Sequence, residues 1–365
     1  MAAYKTSEWV SPGHPDKVAD IVSEYILDRF IERDPKTRYA LEVQVKDNHV
    51  SLAGEVTSMA EVQDEELKEW AREAIQKIGY TKEYAERFKK GATIIGDEMD
   101  VDLYVSRQSL DIAQGVDRDA WGDQGIFFGY FCRETEDGQG IDYSLAKRLG
   151  MALYQKARYE KYPIGLDIKT QVTVLISETG EYEVKKIIVA IPCNREKISS
   201  QKLRSFVKKQ IETYIPEAKG AKLIVNGTGA YEVHGPVGDS GTTGRKLVVD
   251  FYGSRSRIGG GSPWTKDGSK ADLTLNLFAY DMAKNIYNEL KEQVNGLHHV
   301  ETELSCCIGK RSVLMYVTAY DENGVPCYQA VEEEDIPPSF LIKKYGLDKP
   351  NYARMCVEGL FSCVK

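Results

Sequence analysis

A helix, a β-hairpin and a second helix follow one another three times along this chain. That repeat limits the available folds more than any single motif. In the first copy, apolar residues fall at Val18, Ile21, Val22, Tyr25, Ile26 and Phe30, one face of a helix, with Asp20, Glu24 and Asp28 on the other face. Asp34-Pro35 ends it, because the residue before a proline is driven out of the helical region. RYALEVQVK and HVSLAGEVTS alternate apolar and polar around the turn Asp47-Asn48, which predicts a hairpin. With Lys46 paired to His49, Ala40 stands opposite Glu55 and Glu42 opposite Ala53, so Glu42 and Glu55 lie diagonally on the polar face. A helix from Glu61 to Ile78 follows, and Gly79 is its stop.

The second copy has a helix from about 142 to 159, the hairpin TQVTVLISETGEYEVKKIIVAIP, and a helix from about 199 to 214. The third has a helix from about 270 to 291, strands VETELSCCI and SVLMYVTAY, and a short helical piece near Ser339. The hairpins begin near 38, 170 and 300, a repeat of roughly 130 residues that matches ordinary domain size. The expected fold is α+β: three pseudo-threefold-related domains, each an antiparallel sheet covered by helices. The blocks are 1–105, 119–234 and 235–365, with 106–118 between the first two.

A length of 365 residues accommodates such domains, and the net charge of −8 argues against a nucleic-acid partner. Runs such as VTVLI and IIVAI are too short for a membrane span, and MAAYKTSEWV contains no apolar run, so the expected location is the cytoplasm. None of the seven cysteines forms a C-x-x-C pair, which points to reduced structural thiols; Cys306 and Cys307 would face opposite sides of a strand.

Chemistry concentrates in two stretches. VSPGHPDKVAD places His14, Asp16 and Lys17 at a helix start, which needs a cap but not all three groups. From Asn226 to Gly261, ten of 36 residues are glycine, which allows close backbone approach to a ligand. Between Gly244 and Lys270 lie Arg245, Lys246, Arg255, Arg257, Lys266 and Lys270, opposed there only by Asp250 and Asp267. A basic, glycine-rich loop in an acidic protein fits a polyphosphate cradle, although neither the P-loop nor the Rossmann spacing is present. A divalent cation bridging such phosphates takes one or two carboxylates. Asp16 and Asp272 are candidates beside helix starts, where a capping role is the alternative; Asp123 and Asp239, between glycines, also read as turn formers.

Together these segments resemble the S-adenosylmethionine synthetase, or methionine adenosyltransferase, family. The matching pieces, in family order, are GHPDKVAD at 13–20, LEVQVK and LAGEVTS within 41–58, QSLDIAQGVD at 108–117, GDQGIFFGY at 122–130, DIKTQVTV at 167–174, GPVGDSGTTGRKLVVDFYG at 235–253, and GGG with KDGSKAD within 259–272. The resemblance implies ATP and L-methionine as substrates, Mg²⁺ (two per site) and K⁺ as cofactors, and active sites between subunits of a dimer or tetramer. It implies that His14, Lys169, Arg245, Lys246 and Lys266 act on the phosphates and the leaving group, with Lys17 in the same charged cluster. Asp16 and Asp272 would hold Mg²⁺ and Glu42 the K⁺; Glu55, Gln108, Asp239 and Lys270 would contact methionine, and Asp123, Asp167, Tyr231 and Ser262 the bound substrates. The region 106–118 corresponds to the family's gate.

The chain also departs from the family. Its gate is short, with DRDAW before GDQG. Ser262-Pro263-Trp264-Thr265 stands where the family has A-F-S-G, Leu273-Thr274 replaces Arg-Ser, and Ala230-Tyr231 replaces the Arg-Phe beside the adenine, leaving Tyr231 to stack on a base. Two alternatives stay open at this stage. One is a nucleotide-binding paralogue without turnover, against which the full set of charged residues argues; the other is a Mg²⁺-dependent polyphosphatase, which gives Glu55 and Gln108 no methionine to hold.

Overall fold

Strand β1 (Ala3–Val10) runs into helix α1 (Pro15–Arg33) through a turn that His14 caps: its backbone is extended and its ring accepts the Asp16 N–H. Pro15 takes the first helical position, where no N–H is needed, and Asp34 closes the helix by donating its N–H to the Phe30 carbonyl. The computed structural model describes residues 3–108, 119–160, 162–177 and 180–364; the gate residues 109–118 and the Gln108 side chain lie outside them.

Strands β2 (Arg38–Lys46) and β3 (His49–Thr57) pair in the expected register, with Lys46 opposite His49, Ala40 opposite Glu55 and Glu42 opposite Ala53. Helix α2 (Asp64–Ile78), stopped by Gly79, and the single turn α3 (Lys82–Ala85) lead to β4 (Asp100–Gln108). The second unit contains β5 (Gly125–Cys132), α4 (Ile141–Tyr159), β6 (Lys169–Ile176), β7 (Tyr182–Ala190), α5 (Ser200–Tyr214) and β8 (Lys222–Val225). The third contains β9 (Gly241–Thr242), the turn α6 (Leu247–Asp250), α7 (Ala271–Leu290), β10 (Leu297–Cys306), β11 (Ser312–Asp321), β12 (Pro326–Asp335), α8 (Pro338–Tyr345) and α9 (Tyr352–Glu358).

Three four-stranded sheets result, in the orders β4-β3-β2-β9, β1-β6-β7-β8 and β12-β11-β10-β5. Each holds one of the three repeated hairpins. Each also takes a strand from a distant segment: β9 joins the first sheet, β1 the second and β5 the third. The domains are therefore laced together rather than strung along the chain. Pairing is antiparallel except at β3–β4 and β7–β8, which are parallel. Those two pairs depart from the expected antiparallel sheets because α2 and α5 carry the chain over before the next strand, as parallel pairing requires.

The apolar hairpin face, Tyr39, Leu41, Val43, Val45, Val50, Leu52 and Val56, is buried under α1. On the other face of α1, Asp20, Glu24 and Asp28 are buried too. Each accepts backbone N–H groups from chain that covers the helix: Gly244 on Asp20 at 2.9 Å, Thr265 on Glu24, and Tyr352 and Ala353 on Asp28 at 2.8 and 3.0 Å. Periodicity alone shows which residues share a face, not what later lies over it. All seven cysteines are free, with Cys306 buried and Cys307 exposed. Among the described residues, no helix is long and apolar enough to cross a membrane.

Candidate active site

The site is assembled where β9 pairs with β2 and passes over the start of α1. Gly241 makes this approach possible, since a Cβ there would sit 2.0 Å from the Pro15 carbonyl oxygen. The next residues bring their polar groups to α1: Thr242 N–H donates to Asp16 Oδ1 at 3.0 Å, Lys246 Nζ bonds Oδ2, and Arg245 lies 3.7 Å from Oδ1. Burial favours the neutral acid, but the hydrogen bonds from Lys246 and Thr242 outweigh it and hold Asp16 below the usual carboxylate range.

His14 stands beside this cage. Burial, then the nearby Lys246 charge, push its pKa down to about 4, so the ring is neutral at pH 7. Its Nδ1 accepts the Asp16 N–H at 3.2 Å, which places the ring proton on Nε2 as a donor. Lys169, at the start of β6, also depresses His14 and pairs with Glu8 at 2.8 Å. Asp239 is exposed in its glycine loop, accepts the Ser240 N–H at 2.8 Å, and its charge is felt by His14. Asp167 is buried behind; Tyr231 donates its hydroxyl and Gly235 its N–H to Oδ2, yet burial still lifts its pKa to about 6.

Lys17 does not join this group. Its ammonium is buried 2.7 Å from Asp250 Oδ1 and 3.1 Å from Asp20, and it lies 4.7 Å from the centre of the Trp264 ring. Burial disfavours its charge, but Asp250 and Asp20 raise the pKa well above the ordinary lysine value. The loop's basic cluster divides as well. Arg255 is buried in bidentate contact with Glu134 and also bonds Asp142, and Arg257 pairs with Glu303 at 3.3 Å.

A second group follows along 262–272. Thr265 donates its hydroxyl to Glu42 Oε1 at 3.2 Å, and the Thr243 hydroxyl binds Oε2, so Glu42 is held from both sides. Lys266 bridges to Ala40, the residue opposite Glu55, and its ammonium pairs with Asp272 in the first turn of α7. Gly261 must lack a side chain, because a Cβ would fall 2.0 Å from Asp272 Oδ1. Ser262 packs against Gly244 and accepts the Trp264 N–H at 3.2 Å, and Lys270 immediately precedes α7. Asp123 is exposed ahead of β5; its carbonyl accepts the Cys306 thiol, whose ionisation also feels Asp272. Glu55 is exposed on β3, and Gln108 ends β4 opposite Thr57.

Two contributions went unread in the sequence. Thr242 and Thr243 fix Asp16 and Glu42, although in GDSGTTGRK only the glycines, the cations and Asp239 stand out by sequence. Trp264 donates Nε1–H to Asp250 at 2.8 Å and roofs Lys17. Its position was seen only as a departure from the family.

Among the described residues, no three His, Cys, Asp or Glu side chains converge as a metal cage. Asp16 and Asp272 are instead single carboxylates among ammonium and guanidinium groups. That donor set fits Mg²⁺ that keeps its waters and completes its shell with phosphates.

The family models for the S-adenosylmethionine synthetase N-terminal, central and C-terminal domains match residues 2–109, 118–231 and 233–364. The S-adenosylmethionine synthase of Salinibacter ruber is 34% identical, with 99% of this chain and 94% of the relative covered. That of Mesoplasma florum is 32% identical, with 98% and 94% covered. The solved structure of an unusual S-adenosylmethionine synthetase from Campylobacter jejuni superposes with a TM-score of 0.85 at 31% identity, covering 98% of this chain and 94% of that one. The chain belongs to the S-adenosylmethionine synthetase family.

Proposed function

We propose that the chain forms S-adenosylmethionine from ATP and methionine. The methionine sulfur lone pair bonds to the ribose 5′-carbon, the bond from that carbon to the triphosphate oxygen breaks, and its electron pair leaves with the triphosphate. Water then cleaves the triphosphate to pyrophosphate and phosphate. The observation that carries this reading is the cage around Asp16, where Lys246, Arg245 and the Thr242 N–H converge beside a neutral His14.

The thioether becomes a sulfonium without losing a proton, so the attack needs no general base. What the protein supplies is alignment and positive or hydrogen-bonding groups where negative charge grows. His14 Nε2–H is a donor for the leaving oxygen. Lys169, Arg245, Lys246 and Lys266 bind the phosphates. Asp16 and Asp272 are the residues that would hold Mg²⁺, which when bound neutralises phosphate charge; their present lysine partners are the cations that phosphate would draw away. Glu42, with Thr243 and Thr265 fixing both carboxylate oxygens, is the residue for K⁺. Glu55, Gln108, Asp239 and Lys270 receive methionine, and Asp123, Asp167, Tyr231 and Ser262 contact the bound substrates. With its hydroxyl tied to Asp167, Tyr231 presents its ring edge-fixed for stacking on a base.

Glu42 links the Thr243 and Thr265 segments of the site. Family membership supports a second copy of the chain completing the site, as a dimer or a tetramer. The test is incubation with ATP, methionine, Mg²⁺ and K⁺ and detection of S-adenosylmethionine by mass spectrometry. Product that requires methionine supports the reading. Phosphate release without product would overturn it in favour of a polyphosphatase.

A further inference from the structure

Away from this site, the start of β10 carries two adjacent histidines on one side of the sheet. Consecutive strand residues normally point to opposite faces. Here the register with β11 shifts between Leu297 and His299, and such a bulge re-aims a side chain. The result is that His298 Nδ1 and His299 Nδ1 face each other at 3.0 Å and share a hydrogen bond, whose proton a metal ion would displace, with the two rings nearly perpendicular at 89°.

That separation has a chemical meaning. Two imidazole nitrogens at about 2.0–2.1 Å from one metal lie about 2.9 Å apart when they subtend a right angle, and about 3.4 Å apart in a tetrahedron. The observed 3.0 Å matches the right-angle case, which square-planar or tetragonal Cu²⁺ and Ni²⁺ prefer. The opposite ring nitrogens each look towards a carboxylate: His298 Nε2 lies 3.7 Å from Glu134, and His299 Nε2 lies 4.0 Å from Glu301. Histidines that bind metal through one nitrogen commonly turn the other towards a carboxylate. The rings are also held in place. His299 stacks on Tyr320 with centroids 4.7 Å apart and sits beside Tyr130, while Glu134 is fixed by Arg255. The pair opens into a cavity of about 490 Å³ also lined by Lys5, Glu322 and Asn323, with none of the catalytic candidates in its wall.

We propose that His298 and His299 form a bidentate chelate for one divalent transition metal of the Ni²⁺ or Cu²⁺ kind, separate from the Mg²⁺ and K⁺ positions. Because no third ligating side chain converges among the described residues, water in the cavity completes the shell. Calorimetry with NiCl₂ alone on untagged protein tests this, read together with the visible absorption of the bound ion. The expected result is one Ni²⁺ per chain with nitrogen and oxygen donors. His298→Ala, and His299→Phe, which keeps the stacking on Tyr320, should each weaken binding at least about tenfold, the loss that even a ligand's supporting partner causes. Cys307→Ser with Cys327→Ser should leave binding unchanged. No saturable Ni²⁺ binding, or binding that survives in the folded histidine variants, would overturn the proposal. So would an absorption band of the sulfur-to-metal type that the cysteine variants abolish. Melting curves of the metal-free variants show that each is folded before titration.

Discussion

Lys17 Nζ lies 2.7 Å from Asp250 Oδ1, beneath the Trp264 ring, while its neighbour Asp16 is held by Lys246 and the Thr242 N–H instead. The motif that begins α1 therefore divides. In the proposed reading His14 and Asp16 serve the ligand, whereas Lys17 anchors the glycine-rich loop to the helix through Asp250. Removing one partner of a buried pair leaves the other charge unpaired, so Lys17→Met should cost about 3–5 kcal/mol of stability. Chemical denaturation measures this, and the rate per folded molecule should hardly change. A stable variant with a collapsed rate would put Lys17 in the site instead.

Lys246 pairs with Asp16 and Lys169 with Glu8, and in the proposed reading both bind the phosphates. Lys246→Met or Lys169→Met should lower turnover by about 100-fold or more, the loss typical of one electrostatic stabiliser. Steady-state kinetics at saturating ATP check this, together with an unchanged melting temperature for Lys169→Met, whose ammonium is only partly buried.

Asp167 gives a pH-dependent prediction. Its folded pKa is raised to about 6 from 3.8, so the folded protein binds this proton more tightly than the unfolded chain. The associated stability is present in acid, falls as pH rises between those values, and stays lost above them; the full effect is on the order of 3 kcal/mol. Asp167→Asn keeps an oxygen for Tyr231 and Gly235 but removes the ionisation. The stability of the variant relative to the parent should therefore rise between pH 4.5 and 7 in urea titrations, while its affinity for ATP falls. A pH-independent difference would show that Asp167 is not held as a reluctant carboxylate.

Thr265 occupies the left-handed region at φ 72°, where the family pattern has glycine. Its N–H reaches Glu24 and its hydroxyl reaches Glu42, which hold it there. An L side chain in that region costs roughly 1–2 kcal/mol. Thr265→Gly should be more stable than Thr265→Ala by about 1 kcal/mol, because both lose the hydroxyl but only glycine sheds the strain. Paired denaturation curves decide it, and an alanine variant at least as stable would remove the strain argument.

Much of this architecture was legible before any coordinates. The β2–β3 register follows from alternation and a two-residue turn, and Gly79 and Asp34 end their helices as expected. What local patterns could not show were contacts made across the chain. The two-residue strand β9 has too little length to alternate, yet it brings Thr242 and Thr243 to Asp16 and Glu42. The strands β1 and β5 join sheets whose hairpins lie over a hundred residues away. The helical pattern places the acids of α1 on one face but gives no sign that Gly244, Thr265 and Tyr352 lie over them. At the site, the residue types were readable through motif and resemblance. Their division was not, because nothing in the order of GHPDK or of the 244–270 cations says that Lys17 and Arg255 turn inward to buried carboxylates.

The central claim is that His14, neutral and donating from Nε2, helps triphosphate leave without acting as a base. Rapid-quench single-turnover formation of S-adenosylmethionine by the parent and by His14→Asn, with ATP binding measured alongside, tests it most directly. The account predicts that bound ATP is retained while product formation slows by about 100-fold or more, and that the parent's rate shows no loss attributable to His14 between pH 6 and 8. A variant that makes product at the parental rate, or a parental rate that titrates with His14 near neutrality, would contradict it.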